Sequence, residues 1–180
     1  MFRLTEDRYY NLDEADDIII NAKKNGYTTT NTKINYYNIV CAFDIETTSF
    51  IDPNGEFGDD KRSLMYVWQA AIDGRVIIGR TWDEFLQLTQ QLSQFIKAAF
   101  GQRARLVVWV HNLSYEFQFL RGIYPFRSDE VFVMERRKIA KCSMLDSFEF
   151  RCSYIHSNMS LDLFTKKMGC TIRKLTGTFD

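Results

Sequence analysis

The sequence has no excess of either charge: over 180 residues, 23 Lys and Arg offset 23 Asp and Glu. A protein devoted to duplex nucleic acid is usually strongly basic, so the bulk charge argues against that class and leaves room only for a small local site. Histidine is scarce, at two, and the four cysteines at 41, 142, 152 and 170 form no Cys-x-x-Cys pair. Zinc needs clustered thiolates and imidazoles, so the cysteines are expected as reduced core thiols of a cytosolic protein. No apolar run approaches the ~20 residues that cross a bilayer, and no basic-then-apolar leader is recognisable. These absences lead to the expectation of a soluble cytoplasmic protein with no membrane partner. Internal repeats and low-complexity tracts are also missing.

What is present is globular. Hydrophobic residues make up 46% and aromatics 15%, enough at this length for one domain with a substantial core. Residues 1–37 read as a polar N-terminal extension, with a short helix over "NLDEADDIIINAKKNG" closed by Gly26. The stretch "NIVCAFDIETT" reads as a strand, and a turn-rich excursion around Pro53 follows it. "SLMYVWQAAI" and "RVIIGR" are further strands, and Asp73-Gly74 between them is a strong hairpin signal.

Thr81 and Glu84 form a capping box that opens a long helix, with Phe85, Leu88, Leu92, Phe95 and Ala99 at helical spacing and Gly101 at its end. "RLVVWVHN" then reads as a buried strand and "SYEFQFLRGIYP" as a short helix. "VFVMER" and "FEFRCSY" are two further strands that flank "IAKCSML", and "MSLDLFTKKMG" is a final helix. An antiparallel three-strand start followed by alternating helix and strand is an α/β domain with a mixed sheet flanked by helices.

Two acids interrupt the first of the apolar strands. Side chains at i and i+2 of a strand share a face, so Phe43 and Ile45 point one way and Asp44 and Glu46 the other. Burying unpaired carboxylates costs several kcal/mol, so this pair needs a cation, either a metal ion or a basic side chain. A solvated strand end would also satisfy an Asp-x-Glu, but its neighbours "VCAF" are apolar. A second constellation lies in "VVWVHNLSYEFQFL", where a strand ends at His111-Asn112 and Glu116 falls in the first turn of the next helix. Strand ends of α/β sheets are where sites assemble, and helix N-termini are electropositive. The plainer alternative is that Asn112 caps the turn and Glu116 complements the helix dipole. Three carboxylates at adjacent strand ends would instead suit Mg2+ or Mn2+, which prefer hard oxygen ligands.

"FDIETT" followed some sixty residues later by "HNLSYEFQF" resembles the first two exonuclease motifs of family B DNA polymerases, most closely those of the protein-primed phage and plasmid branch. The stretch "RCSYIHSNMSLDLFTKKMG" is similar to a segment in which a serine followed by a large apolar residue touches single-stranded DNA. The resemblance covers about residues 38–180 and implies an RNase H-like (DEDD exonuclease) fold. It implies a 3′–5′ exonuclease domain acting on single-stranded DNA 3′ ends through two Mg2+ or Mn2+ ions. Asp44, Glu46 and Glu116 would be the catalytic metal ligands, while Thr47, His111, Asn112, Tyr115, Ser153 and Tyr154 would contact substrate.

Further partners implied are the rest of a polymerase chain and a terminal priming protein, in the host cytoplasm if the gene is a phage's. Glu116 stands where the family has Asp, and the third motif, Tyr-x-x-x-Asp, is absent after the last helix. Tyr9 and Asp13 have its spacing but precede the first motif, and His156 and Asp162 are one residue too far apart for the related His-x4-Asp form. The domain is therefore expected to be incomplete at its C-terminal end, with its fourth carboxylate unidentified. Two other readings stand beside it: a stand-alone 3′–5′ exoribonuclease, and a catalytically weak module that binds single strands or a priming protein.

Overall fold

The computed structural model describes residues 2–4, 9–10, 27–31, 34–52 and 60–171. The helix expected before Gly26 and the excursion around Pro53 lie outside the described residues. Three short strands come first: β1 (Phe2–Leu4), β2 (Tyr9–Tyr10) and β3 (Tyr27–Asn31). Next are the long β4 (Ile34–Asp52), β5 (Asp60–Ile72), β6 (Arg75–Gly79) and helix α1 (Trp82–Phe100). Strand β7 (Ala104–Val110) leads into α2 (Leu113–Ile123), and a 3-10 turn over Ser128–Glu130 precedes β8 (Val131–Glu135). The chain continues through β9 (Lys138–Met144), β10 (Phe148–Cys152), α3 (Tyr154–Ser157) and α4 (Leu161–Lys167).

The strands form one mixed sheet in the order β2-β1-β6-β5-β4-β7-β10-β9-β8, with β3 paired to β4 beside that path. Strands β4, β5 and β6 are successive antiparallel neighbours, whereas β7 runs parallel to β4 and β10 parallel to β7. The expected antiparallel start is therefore present, and the chain is mixed α/β. Strand β4 begins at Ile34 and pairs with β3, while β1 pairs with β6. Parts of the stretch read as an extension thus join the sheet, and the boundary at residue 37 falls inside a strand.

Local chemistry accounts for these elements. Asp73 and Gly74 both take positive φ (52° and 77°), as a two-residue hairpin turn with the twist of its strands requires. Glu84 accepts the backbone N–H groups of Arg80 and Thr81, and Thr81 Oγ1 accepts that of Glu84, so the capping box forms as expected. The buried face of α1 carries Phe85, Leu88, Leu92 and Ile96. Phe95, expected in that row, is 38% exposed. At 3.6 residues per turn, steps of three, four and four keep Ile96 under the row and carry Phe95 off it.

Phe85 is the hub of the core, with ring centroids 4.9 Å from Phe43, 5.6 Å from Trp68 and 5.9 Å from Trp82. Trp82 also approaches Phe119 of α2. Trp68 is fully buried and its indole N–H donates to the Thr81 carbonyl at 2.8 Å. Cys41, Cys142 and Cys152 are buried free thiols as expected, but Cys170 is exposed. Burial pushes the Cys41 and Cys142 thiols up to about 12, which keeps them inert. Among the described residues no helix is long and apolar enough to cross a membrane.

Candidate active site

Strand β4 divides its side chains as its alternation dictates. Ile39, Cys41, Phe43 and Ile45 are buried against the core, while Asp44 is half-buried and Glu46 exposed. The acids thus lie on the face opposite the one that packs under α1. Gln69 of β5, paired with Asp44 across the ladder, donates from Nε2 to Asp44 Oδ2 at 3.2 Å. A bulge between Glu46 and Thr47 shifts the register, pairing Glu46 with Val67 but Thr47 with Met65. Bulges re-aim side chains where a strand leaves regular pairing. Here Thr47 Oγ1 meets Tyr115 Oη of α2 at 2.6 Å, which joins the two motifs through a side-chain hydrogen bond.

The turn from β7 into α2 sets the third acid. Asn112 takes the left-handed conformation (φ 69°, ψ 51°), which asparagine tolerates better than most residues. Its side chain makes no capping bond, so the capping role open to it in sequence is not the one it plays. Glu116 follows in the first helical turn, only 4% exposed, and its Oε2 is buried with no hydrogen-bond partner. Burial pushes the Glu116 carboxyl up to about 8, its own backbone N–H offsets part of that, and the charge of Asp44 raises it further. A carboxylate that merely complemented a helix dipole would be solvated. This one is kept from water and within electrostatic reach of Asp44.

A second buried glutamate shows the opposite outcome. Glu149 of β10 is 2% exposed, yet Arg151 Nη2 lies 2.6 Å and Lys141 Nζ 3.3 Å from its carboxylate, and Tyr36 Oη donates at 2.9 Å. Burial alone would raise its pKa, but the Arg151 hydrogen bond and the Arg151 and Lys141 charges hold it below the usual value. Sequence reasoning passed over this cluster, although "FEFRC" carries the same signature of an acid in an apolar strand. Its basic partner two residues on, on the same face, was the available signal.

The remaining candidates fall into two groups. His111 donates or accepts at both ring nitrogens: Nδ1 is 3.1 Å from Ser153 Oγ and Nε2 3.0 Å from the Met159 carbonyl. Ser153 N–H also donates to the Val110 carbonyl at 2.9 Å. These contacts make His111 and Ser153 a clamp between the end of β7 and the segment around α3. Tyr154 is partly exposed, its ring edge-on to His111 at 5.7 Å, and Tyr115 is partly exposed and edge-on to Phe119 at 5.5 Å. Phe119 is partly buried against the core, as packing alone requires.

Asp44, Glu46 and Glu116 offer hard oxygen donors suited to Mg2+ or Mn2+. The unpartnered Oε2 of Glu116 fits that use, because a buried lone acceptor is costly until a cation or proton reaches it. Among the described residues, however, no three His, Cys, Asp or Glu side chains converge into a ready cage. No family model, curated protein or solved structure matches this chain.

Proposed function

We propose that the chain is a 3′–5′ exonuclease domain of RNase H-like fold that trims single-stranded DNA 3′ ends beside a polymerase of the protein-primed family B type. The observation that carries this reading is the buried, unpartnered Glu116 Oε2, on a carboxyl that feels the charge of Asp44, on elements that also hold the two motifs. The antiparallel strands β4, β5 and β6 followed by helix-linked parallel strands support the fold assignment. Asp44, Glu46 and Glu116 would hold divalent metal, which when bound supplies water activation and stabilisation of the leaving 3′ oxygen. The protein's own contribution is placement. Gln69 fixes the Asp44 carboxylate, and burial favours the protonated form of Glu116, so cation binding there would release a proton.

Tyr115 and Tyr154 present exposed aromatic faces for unpaired bases, and the Thr47 hydroxyl lies at the Tyr115 ring edge of the same surface. His111 and Ser153 act by fixing where Tyr154 stands, and the exposed Asn112 amide is left to the substrate. A terminal priming protein and the rest of a polymerase remain the partners of this reading, and the cytoplasm its compartment.

Calorimetric titration with Mn2+ tests the site. The double variant Asp44→Ala and Glu46→Ala should lose binding while keeping its circular dichroism, and unchanged affinity would overturn the metal assignment. Tyr115→Ala and Tyr154→Ala should each weaken oligothymidine binding by about 1–3 kcal/mol, the worth of one base stacked on an aromatic ring. Loss of fold in place of loss of binding would return both rings to a packing role.

One observation favours a second reading. Because no three ligating side chains converge among the described residues, a module that binds single strands without cutting them is the alternative. Oligothymidine binding with no cleavage of a 3′-labelled strand in saturating Mn2+ would select it.

A further inference from the structure

The hairpin between β8 and β9 turns on Arg136 and Arg137, since Glu135 and Lys138 are its last paired residues. Two-residue hairpin turns are relaxed as Asn-Gly or Asp-Gly. Here Arg137 takes φ 64°, a left-handed backbone that disfavours most residues with a Cβ. Both arginines are exposed, and among the described residues neither side chain has a hydrogen-bond or ion-pair partner. Arg62, Arg105, Arg127 and Arg151, by contrast, are each paired with a carboxylate. Lys138 at the tip is offset by Glu135 at 2.6 Å. The turn therefore carries two uncompensated charges on strained backbone, and such strain collects at functional sites. Its place is fixed as well. Ser114 Oγ, beside Tyr115 in the first turn of α2, accepts the Ile139 N–H at 2.9 Å. The Glu135 hydrogen bond and charge hold Lys138 above its ordinary pKa, and Tyr154 of α3 adds to that. Exposed charges are screened beyond about 10 Å at 0.1 M salt, so the turn lies close to the two exposed tyrosines.

We propose that Arg136 and Arg137 clamp the phosphodiester backbone of a DNA single strand whose bases stack on Tyr115 and Tyr154. This rests on the single-strand surface proposed above. Guanidinium forks match phosphate oxygens, while the aromatic rings take bases of any sequence. With 23 bases against 23 acids, the chain as a whole does not attract DNA, so phosphate contacts must come from a local pair such as this.

Fluorescence-anisotropy titration of labelled oligothymidine with the full chain, in EDTA and from about 50 to about 500 mM salt, tests it. The variant Arg136→Asn with Arg137→Gly installs the relaxed turn, so its Tm should hold or rise. Its affinity at about 50 mM salt should fall at least about tenfold. The slope of log Kd against log salt should fall by about 1.4, for two single-strand phosphate contacts at about 0.7 each. Tyr115→Ala should weaken binding with the slope unchanged. Arg103→Ala, exposed just before β7 and so at its far end from His111, should change neither. An unaltered slope in the turn variant, with Tyr115→Ala still weakening binding, would overturn the clamp and leave the aromatic surface standing. A parent that binds no oligothymidine would overturn both. A lower Tm in the turn variant would make the arginines structural, and an equal loss of slope in Arg103→Ala would make the binding diffuse. Either result would also overturn the clamp.

Discussion

Glu116→Gln is expected to stabilise the metal-free protein at pH 9 and to give no gain at pH 4. The carboxyl titrates near 8 in the fold against an ordinary 4.5. A group whose folded pKa is raised contributes its full stability below the unfolded value and loses it as pH rises through the folded one. Stability should therefore fall between about pH 4.5 and about pH 8 and level off above. Each tenfold change in proton affinity is worth about 1.4 kcal/mol, so the ceiling over that interval is roughly 5 kcal/mol. Relaxation around the charge, and the amide hydrogens that Gln brings into the same dry site, reduce the net gain.

A gain of at least about 1 kcal/mol at pH 9, or about 2–4 °C in Tm, is the expected result. The same variant should lose most of the stabilisation that saturating Mn2+ gives the parent, because ligand-linked stability scales with affinity. Parallel Tm-versus-pH curves for parent and variant would show that Glu116 does not carry a buried charge. A steeper Mn2+ response in the variant would remove Glu116 from the ligand set.

The second large effect concerns stability alone. A Cβ on Gly79 would fall 2.1 Å from Trp68 Cζ2 and 2.3 Å from Cε2. Nothing flexible can give way there, since Trp68 is fully buried, faces Phe85 and is tied through its indole N–H to Thr81. Gly79→Ala must therefore displace the ring or the end of β6. Overpacking commonly costs 1–3 kcal/mol, and the loss of a buried indole hydrogen bond adds about 1–3 kcal/mol, so a loss of at least about 2 kcal/mol is expected. Urea unfolding monitored by tryptophan emission measures it, with a red shift in the native baseline as the sign that Trp68 has moved. A loss below about 1 kcal/mol would mean that the ring has room that its contacts do not suggest.

Much of the fold was legible because its signals are local. Alternation in β4, the Asp73-Gly74 turn and the Thr81–Glu84 capping box each depend on residues a few positions apart, and each formed as expected. Phe95 was misplaced because two helical rows compete over one surface, and a spacing rule cannot say which of two neighbours turns inward. The site was legible only as a list. Sequence marks Asp44, Glu46 and Glu116 as acids in apolar settings, but Glu149 carries the same mark with the opposite outcome. What separates them is the cations alongside: Arg151 stands two residues on in the same segment, where it could have been read, but Lys141 comes from a neighbouring strand, and strand order is not written in any one segment. Gln69 and the His111–Ser153 clamp were hidden for the same reason, being contacts between elements distant in sequence.

The length of β4 has a consequence for how the molecule breathes. Its first half has β7 on one side and β3 on the other, β5 takes over from β3 at Cys41, and the last pair with β7 is Ala42 with Trp109. From Asp44 onward, among the described residues, β4 pairs with β5 alone, and that ladder continues out to Asp52. One strand should thus span two regimes of amide exchange, with Cys41 and Ala42 protected up to global opening and Ser49 to Ile51 exchanging by fraying of a two-stranded ribbon. The acids sit at the frontier between them. Their backbone can yield by local opening while the core beneath stays shut, which gives the site a softness that its central position in the sheet would not otherwise allow.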